Sequence, residues 1–126
     1  MVKLSMVADD STEERLLGFA SCAVDALAEL DSMARQVAAK RLLSEYNLSW
    51  RRFSRVGPDG RALEVTEPEL ADHDFIARLT LASLEIVGDS CLTLGYSDDQ
   101  IFAGHSVFVT SFGGLQFTDA HAELFG

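Results

Sequence analysis

Residues 84–96 read LEIVGDSCLTLGY, and this stretch decides the fold. On both sides of the central Gly-Asp-Ser, apolar residues stand at every second position. This is the period of a β-strand that buries one of its faces. A connection of so few residues can join only antiparallel neighbours. The stretch therefore predicts two adjacent antiparallel strands with a tight turn between them.

The same period continues towards the C-terminus. Val107 and Val109 mark a further strand, and the alternation over residues 120–124 marks a last one. Residues 97–100 and Gly113-Gly114 carry the small and polar residues that are typical of turns. The second half of the chain thus predicts an antiparallel β-meander.

The first half has a different pattern. Alternation from Val2 to Met6 predicts an N-terminal strand. Apolar residues then recur at intervals of three and four, which predicts amphipathic helices over 12–29 and 32–46, with Asp31 and Ser32 as a cap between them. Pro68, between two glutamates, indicates the start of a short third helix.

Helices followed by strands are typical of the α+β class. We expect one domain over residues 1–126, in which the helices cover one face of the antiparallel sheet. Residues 51–61 combine arginines with aromatic and turn residues and predict a flexible loop. Cys22 and Cys91 are expected to be buried as small hydrophobic residues, with no disulfide or zinc motif.

Composition argues against several classes of function. A net charge of −10 disfavours binding to nucleic acid, because phosphate contacts need clustered Lys and Arg. No apolar run reaches the length of a membrane span and no signal peptide is evident, so we expect a cytoplasmic protein that does not bind membranes. No glycine-rich phosphate loop or metal-ligand spacing occurs, so no cofactor or metal is expected.

The charge is unevenly distributed along the chain. Residues 79–126 contain no Lys or Arg, and their acids are Glu85, Asp89, Asp98, Asp99, Asp119 and Glu123. Six of the ten basic residues fall between residues 40 and 61: Lys40, Arg41, Arg51, Arg52, Arg55 and Arg61. An acidic C-terminal third can steer a basic partner towards it.

The segment around Gly104-His105-Ser106 holds the other candidate functional residues. Gly104 at the entry to a strand permits a bulge, and His105 and Ser106 can hydrogen-bond the backbone groups that it frees. A structural corner is one interpretation of this segment. The other uses His105 as a base or ligand, with Asp98, Asp99 or Asp119 as its orienting carboxylate.

Residues 98–107, DDQIFAGHSV, together with the FIARL helix at 75–79 and GLQFTDA at 114–120, resemble a bacterial family of uncharacterised domains. Its members typically carry Phe-Trp-Gly-His-Ser between two strands, whereas Ala103 stands here at the tryptophan position. The resemblance extends back through residues 38–43 and implies no catalytic activity. It is compatible with a role as an antidote that binds a toxin.

Two functional hypotheses follow. The first is a non-enzymatic protein-binding domain, specifically an immunity-type inhibitor of a basic bacterial toxin. Its candidate binding surface is Asp98, Asp99, Phe102, Gly104, His105, Ser106 and Asp119. The alternative is a small hydrolase or small-molecule-binding domain centred on His105. A homodimer formed through the last strand stays open in either case.

Overall fold

The computed structural model describes residues 2–97, 101–117 and 119–125. The first segment contains strand β1 (Lys3–Val7), helix α1 (Glu13–Asp25) and helix α2 (Leu27–Glu45), which continues into a π-helical turn at Tyr46–Trp50. The segment goes on with strands β2 (Arg52–Val56) and β3 (Ala62–Thr66), helix α3 (Asp72–Arg78), and strands β4 (Thr80–Val87) and β5 (Cys91–Ser97). Strand β6 (Ser106–Ser111), a 3₁₀ turn (Gly114–Gln116) and strand β7 (His121–Phe125) follow.

The main sheet has the strand order β1-β4-β5-β6-β7, and β4 to β7 form the predicted antiparallel meander. β1 pairs in parallel with β4, which helical connections make possible. The predicted α+β class is confirmed, with three helices and a mostly antiparallel sheet.

The core lies between the helices and one face of the main sheet. Side chains that alternate onto this face are buried, and they form one cluster with the inward stripes of the helices. The sheet contributes Leu84, Ile86, Leu92, Leu94, Tyr96, Val107 and Val109. The helices contribute leucines and several alanines, such as Ala23, Ala34 and Ala38, whose small side chains allow close approach of a helix to the sheet.

The predicted helix boundary at Asp31-Ser32 is wrong. The chain leaves helical geometry at Ala26, whose φ and ψ are −98° and 12°, and α2 begins at Leu27. The Asp31 carboxylate accepts hydrogen bonds from Arg35 and Tyr96 instead of capping a helix. A residue suited to capping is therefore used here in tertiary contacts within a continuing helix.

The predicted flexible loop at 51–61 is also wrong, because most of it belongs to the β2–β3 hairpin. Gly60, with φ of +79°, supplies the left-handed residue that the turn requires. At the open end of the hairpin the Arg51 side chain donates to the carbonyls of Asn47 and Glu67. These bonds fasten the hairpin to the end of the π-helical turn.

Two burial expectations need correction. The alternation in the first strand predicts one buried face that includes Leu4 and Met6, yet each is 46% exposed, because β1 lies at the sheet edge. Cys22 is exposed on α1 and only Cys91 is partly buried, and neither forms a disulfide.

Helix α3 starts at Asp72, later than Pro68 suggests. The Asn47 side-chain amide pairs with both backbone groups of Leu70 and holds that segment extended.

Candidate functional site

The turn at residues 101–105 folds back on itself immediately before β6. Ala103 and Gly104 both have positive φ, at 54° and 86°, which is uncommon for alanine. The backbone N–H of His105 donates to the Phe102 carbonyl at 3.0 Å, and His105 Nδ1 lies 2.8 Å from the same oxygen. Since a carbonyl only accepts, Nδ1 is the donor in this contact and carries a proton. His105 thereby stabilises the turn.

Phe102 is the centre of an aromatic cluster. Its ring is fully buried and meets Tyr46, Trp50 and Phe75 edge to face, with centroid distances of 5.9, 5.5 and 6.0 Å. The ring of Trp50 also contacts that of His105 at 5.5 Å. Phe102 therefore anchors the turn in the core, where a partner protein cannot reach it.

The structure separates the remaining candidates. Ser106 begins β6, and Asp119 precedes β7 close to Lys40 and Arg41 of α2, where it lines a shallow pocket. The far end of β6 pairs with the start of β7, at Thr110 and His121. Asp119 and His105 thus lie at opposite ends of β6, on the order of 15 Å apart, so Asp119 is not placed to orient His105. Asp98 and Asp99 lie outside the described residues.

A more extensive candidate site is the sheet face that points away from the core, here called the open face. In strands β4 to β7, the side chains on this face are exposed or half-buried, except at Gly95. They surround a depression of about 270 Å³. Its lining consists of Ser83, Glu85, Thr93, Phe108, Thr110, Glu123 and Phe125.

An aromatic pair forms one side of the depression. The rings of Phe108 and Phe125 pack with their centroids 4.9 Å apart and their planes tilted by 31°. Phe125 is 48% exposed. Glu123 stands directly opposite Phe108 in the pairing of β6 with β7. An aromatic face beside a carboxylate can bind an ammonium or guanidinium group, through a cation–π contact with the ring and a charge-assisted hydrogen bond to the carboxylate.

Polar residues complete the depression. The hydroxyls of Thr93 and Thr110 hydrogen-bond each other at 2.9 Å between β5 and β6. Glu85 is exposed on β4, three strands from Glu123, which places the two carboxylates on the order of 14 Å apart. Among the described strand residues on this face of the main sheet, Lys3 at the β1 edge is the one Lys or Arg. The depression therefore has a carboxylate at each end, Glu85 and Glu123.

A half-buried polar network joins α2, α3 and β5, and it left little signal in the sequence. The Arg35 guanidinium donates to Asp31 at 3.0 Å and to the carbonyls of Ile76 and Leu79 at the end of α3. The Tyr96 hydroxyl donates to Asp31 at 2.7 Å, and Arg35 lies over the Tyr96 ring. Burial, and then the hydrogen bond to Asp31, raise the pKa of Tyr96 far above its usual range. The i,i+4 spacing of Asp31 and Arg35 was the one signal of this network in the sequence.

This network is structural, because each of its groups already has a partner within the fold. It adds a charged donor to two carbonyls at the end of a short helix. In the part of the chain that the structure describes, no group of His, Cys, Asp and Glu side chains is placed to hold a metal ion. Among the described helices, none is long and apolar enough to cross a membrane.

Comparison with known protein families identifies a match over most of the chain. A family model described as an uncharacterized protein conserved in bacteria, DUF2262, matches residues 1–121. No curated protein and no solved structure matches the chain. Since the family model spans nearly the whole chain, this protein belongs to DUF2262, a family of uncharacterized bacterial proteins.

Proposed function

We propose that this protein is a non-enzymatic binding domain whose open face docks a basic protein partner. The observation that carries the proposal is the stacked pair Phe108 and Phe125 on an uncovered sheet face, with Glu123 beside it and Glu85 across it. Exposed aromatic residues accompanied by charged groups at the margin of a patch are typical of protein interfaces.

The charge distribution supports a basic partner. No Lys or Arg occurs from residue 79 to the end of the sequence, so β5, β6 and β7 present only neutral or acidic side chains apart from His121. A basic protein would be attracted from a distance, and a Lys or Arg side chain could enter the depression between the aromatic pair and Glu123. In the most specific form of this proposal, the protein is an immunity-type inhibitor that covers a basic toxin.

The alternative of a hydrolase centred on His105 has less support. His105 Nδ1 is engaged by the Phe102 carbonyl, and Asp119 lies at the other end of β6. A nucleophile, a base and an orienting acid need to lie within hydrogen-bond reach of one another. The described residues around His105 contribute an indole ring and a backbone carbonyl to this site.

Position-specific cross-linking tests the proposal. A photoreactive amino acid replaces Thr110 on the open face, or Leu17, which is exposed on α1, as the matched control. Each protein is irradiated in a lysate of the source bacterium at low and at moderate salt. We expect a basic protein to be cross-linked from position 110 only, with a yield that falls as salt rises. Equal yields from both positions, an acidic cross-linked protein, or no cross-link from position 110 would contradict the proposal.

A further inference from the structure

A second, chemically distinct site lies beside the β2–β3 hairpin. A cleft of about 660 Å³ opens between the π-helical turn, strand β2 and the 101–105 turn. We call it the hairpin cleft, and it is lined by Ser49, Trp50, Arg52, Phe53, Ser54 and Ala103. Its volume falls within the range of small-molecule sites, and its lining is mainly apolar with a few polar groups, as such sites usually are.

The apolar part of the cleft suits a planar ring. Trp50 is held in place because its ring packs edge to face on Phe102 and on His105. Phe53 is 42% exposed. An indole and a phenyl group that already lie at the surface can stack on an aromatic ligand with little loss of side-chain freedom.

The polar part of the cleft favours an anion. Arg52 is exposed, and its guanidinium forms no ion pair or hydrogen bond with the described residues. The two hydroxyls at the cleft are already used as donors, Ser49 to the Glu45 carbonyl and Ser54 to Glu64. Of the side-chain donors that remain for a ligand, the Arg52 guanidinium is the one that matches a carboxylate in shape and charge.

The free edge of β2 adds backbone donors. Arg51 pairs with Glu67 and Gly57 with Arg61 through bonds of 2.8 and 2.7 Å. Because hydrogen-bonded and non-bonded pairs alternate in an antiparallel ladder, the N–H groups of Arg52 and Ser54 point away from β3. Both residues line the cleft, so these N–H groups can donate to a bound carboxylate.

We propose that the hairpin cleft binds a small aromatic carboxylate, with its ring against Trp50 and Phe53 and its carboxylate on Arg52 and the edge of β2. This site does not depend on the partner proposed for the open face. Glu64, which the Ser54 hydroxyl contacts, restricts the ligand to one that places its negative charge towards Arg52.

Trp50 allows a direct test, since it is the one tryptophan of the sequence and its indole N–H gives a single NMR signal. The probes are 1-naphthoate and its neutral counterpart naphthalene-1-methanol, each added up to about 20 mM because a small ligand is expected to bind with millimolar affinity or better. We expect saturable movement of the Trp50 indole signal with 1-naphthoate, and about tenfold weaker binding of the alcohol.

Arg52→Gln and Arg55→Gln are the matched variants. Both arginines are exposed on β2, and Arg55 does not line the cleft. We expect Arg52→Gln to raise the Kd for 1-naphthoate about tenfold and Arg55→Gln to leave it within twofold. A Trp50 signal that does not saturate, equal affinity for acid and alcohol, or equal effects of the two substitutions would overturn the proposal.

Discussion

The ring of Phe108 lies across Gly95 of the neighbouring strand, with a ring carbon 3.0 Å from the position that a Cβ at residue 95 would occupy. Gly95 and Phe108 are also direct partners in the pairing of β5 with β6. The absence of a side chain at residue 95 therefore allows Phe108 to lie on the sheet and pack against Phe125. The aromatic pair of the open face depends on this glycine.

Replacing Gly95 is expected to destabilise the protein and rearrange the open face. In Gly95→Val the new side chain meets Ser83 and Phe108, so we expect a loss of about 1–3 kcal/mol in the free energy of unfolding. Urea denaturation measures this loss. Gly18→Ala is the control, because nothing lies near the added Cβ in helix α1, and it should be neutral or slightly stabilising. A Gly95→Val variant as stable as the control would show that Phe108 does not occupy this position.

The Arg35 network is expected to stabilise the packing of α2 on α3. Arg35→Met keeps the aliphatic length but leaves the Asp31 carboxylate and the carbonyls of Ile76 and Leu79 without this donor. We expect a loss of about 2–4 kcal/mol in urea denaturation. Arg15→Met, which removes an exposed arginine paired with Asp89 at 3.8 Å, should cost under about 1 kcal/mol. Equal costs for the two variants would contradict this role of Arg35.

Stability is expected to fall in alkali because of Tyr96. Burial and the hydrogen bond to Asp31 raise the pKa of Tyr96 above its ordinary value of 10.0. Because the pKa is raised in the folded state, protonated Tyr96 contributes its full amount to the free energy of unfolding below about pH 10. This contribution to stability declines as pH rises further, because only the unfolded chain releases the proton readily. Burial also raises the pKa of Tyr46, which adds to the decline.

The control for this effect is Tyr96→Phe. It is expected to be less stable than the wild type at neutral pH by about 1 kcal/mol, through loss of the bond to Asp31. Its unfolding free energy should then fall less steeply between pH 9 and about pH 11. Parallel curves for the two proteins would show that Tyr96 ionises with similar ease in both states.

The sequence predicted the elements that local periodicity controls. Strands β4 to β7 have one buried and one exposed face, so their two-residue period appears directly in the chain. The amphipathic stripe of α1 was predicted for the same reason, with Leu16, Ala20 and Ala23 on its buried face. The fold class followed from these elements.

Features that depend on tertiary contacts were not predictable in this way. The β2–β3 hairpin has no buried side chain, so it left no periodic signal over residues 52–66. It is held by the Arg51 side chain, which donates to the carbonyls of Asn47 and Glu67. Asp31 was taken for a cap because its partner Tyr96 is distant in sequence. The candidate sites were not predictable for the same reason, because the open face and the hairpin cleft each combine residues from several strands or turns.

The central claim is that the acidic open face recognises a basic protein, and charge reversal tests it most directly. The test variant is Glu85→Lys/Glu123→Lys, which reverses two charges on the open face. The control variant, Asp25→Lys/Glu29→Lys, changes the net charge by the same amount at two acids that are exposed on α1 and α2. Calorimetric titration with the partner cross-linked from position 110 gives the affinity of each variant at low and moderate salt. We predict that the open-face variant loses at least about tenfold in affinity and most of the salt dependence, while the helix variant loses under about threefold. Equal losses in the two variants, or no loss in either, would contradict the claim.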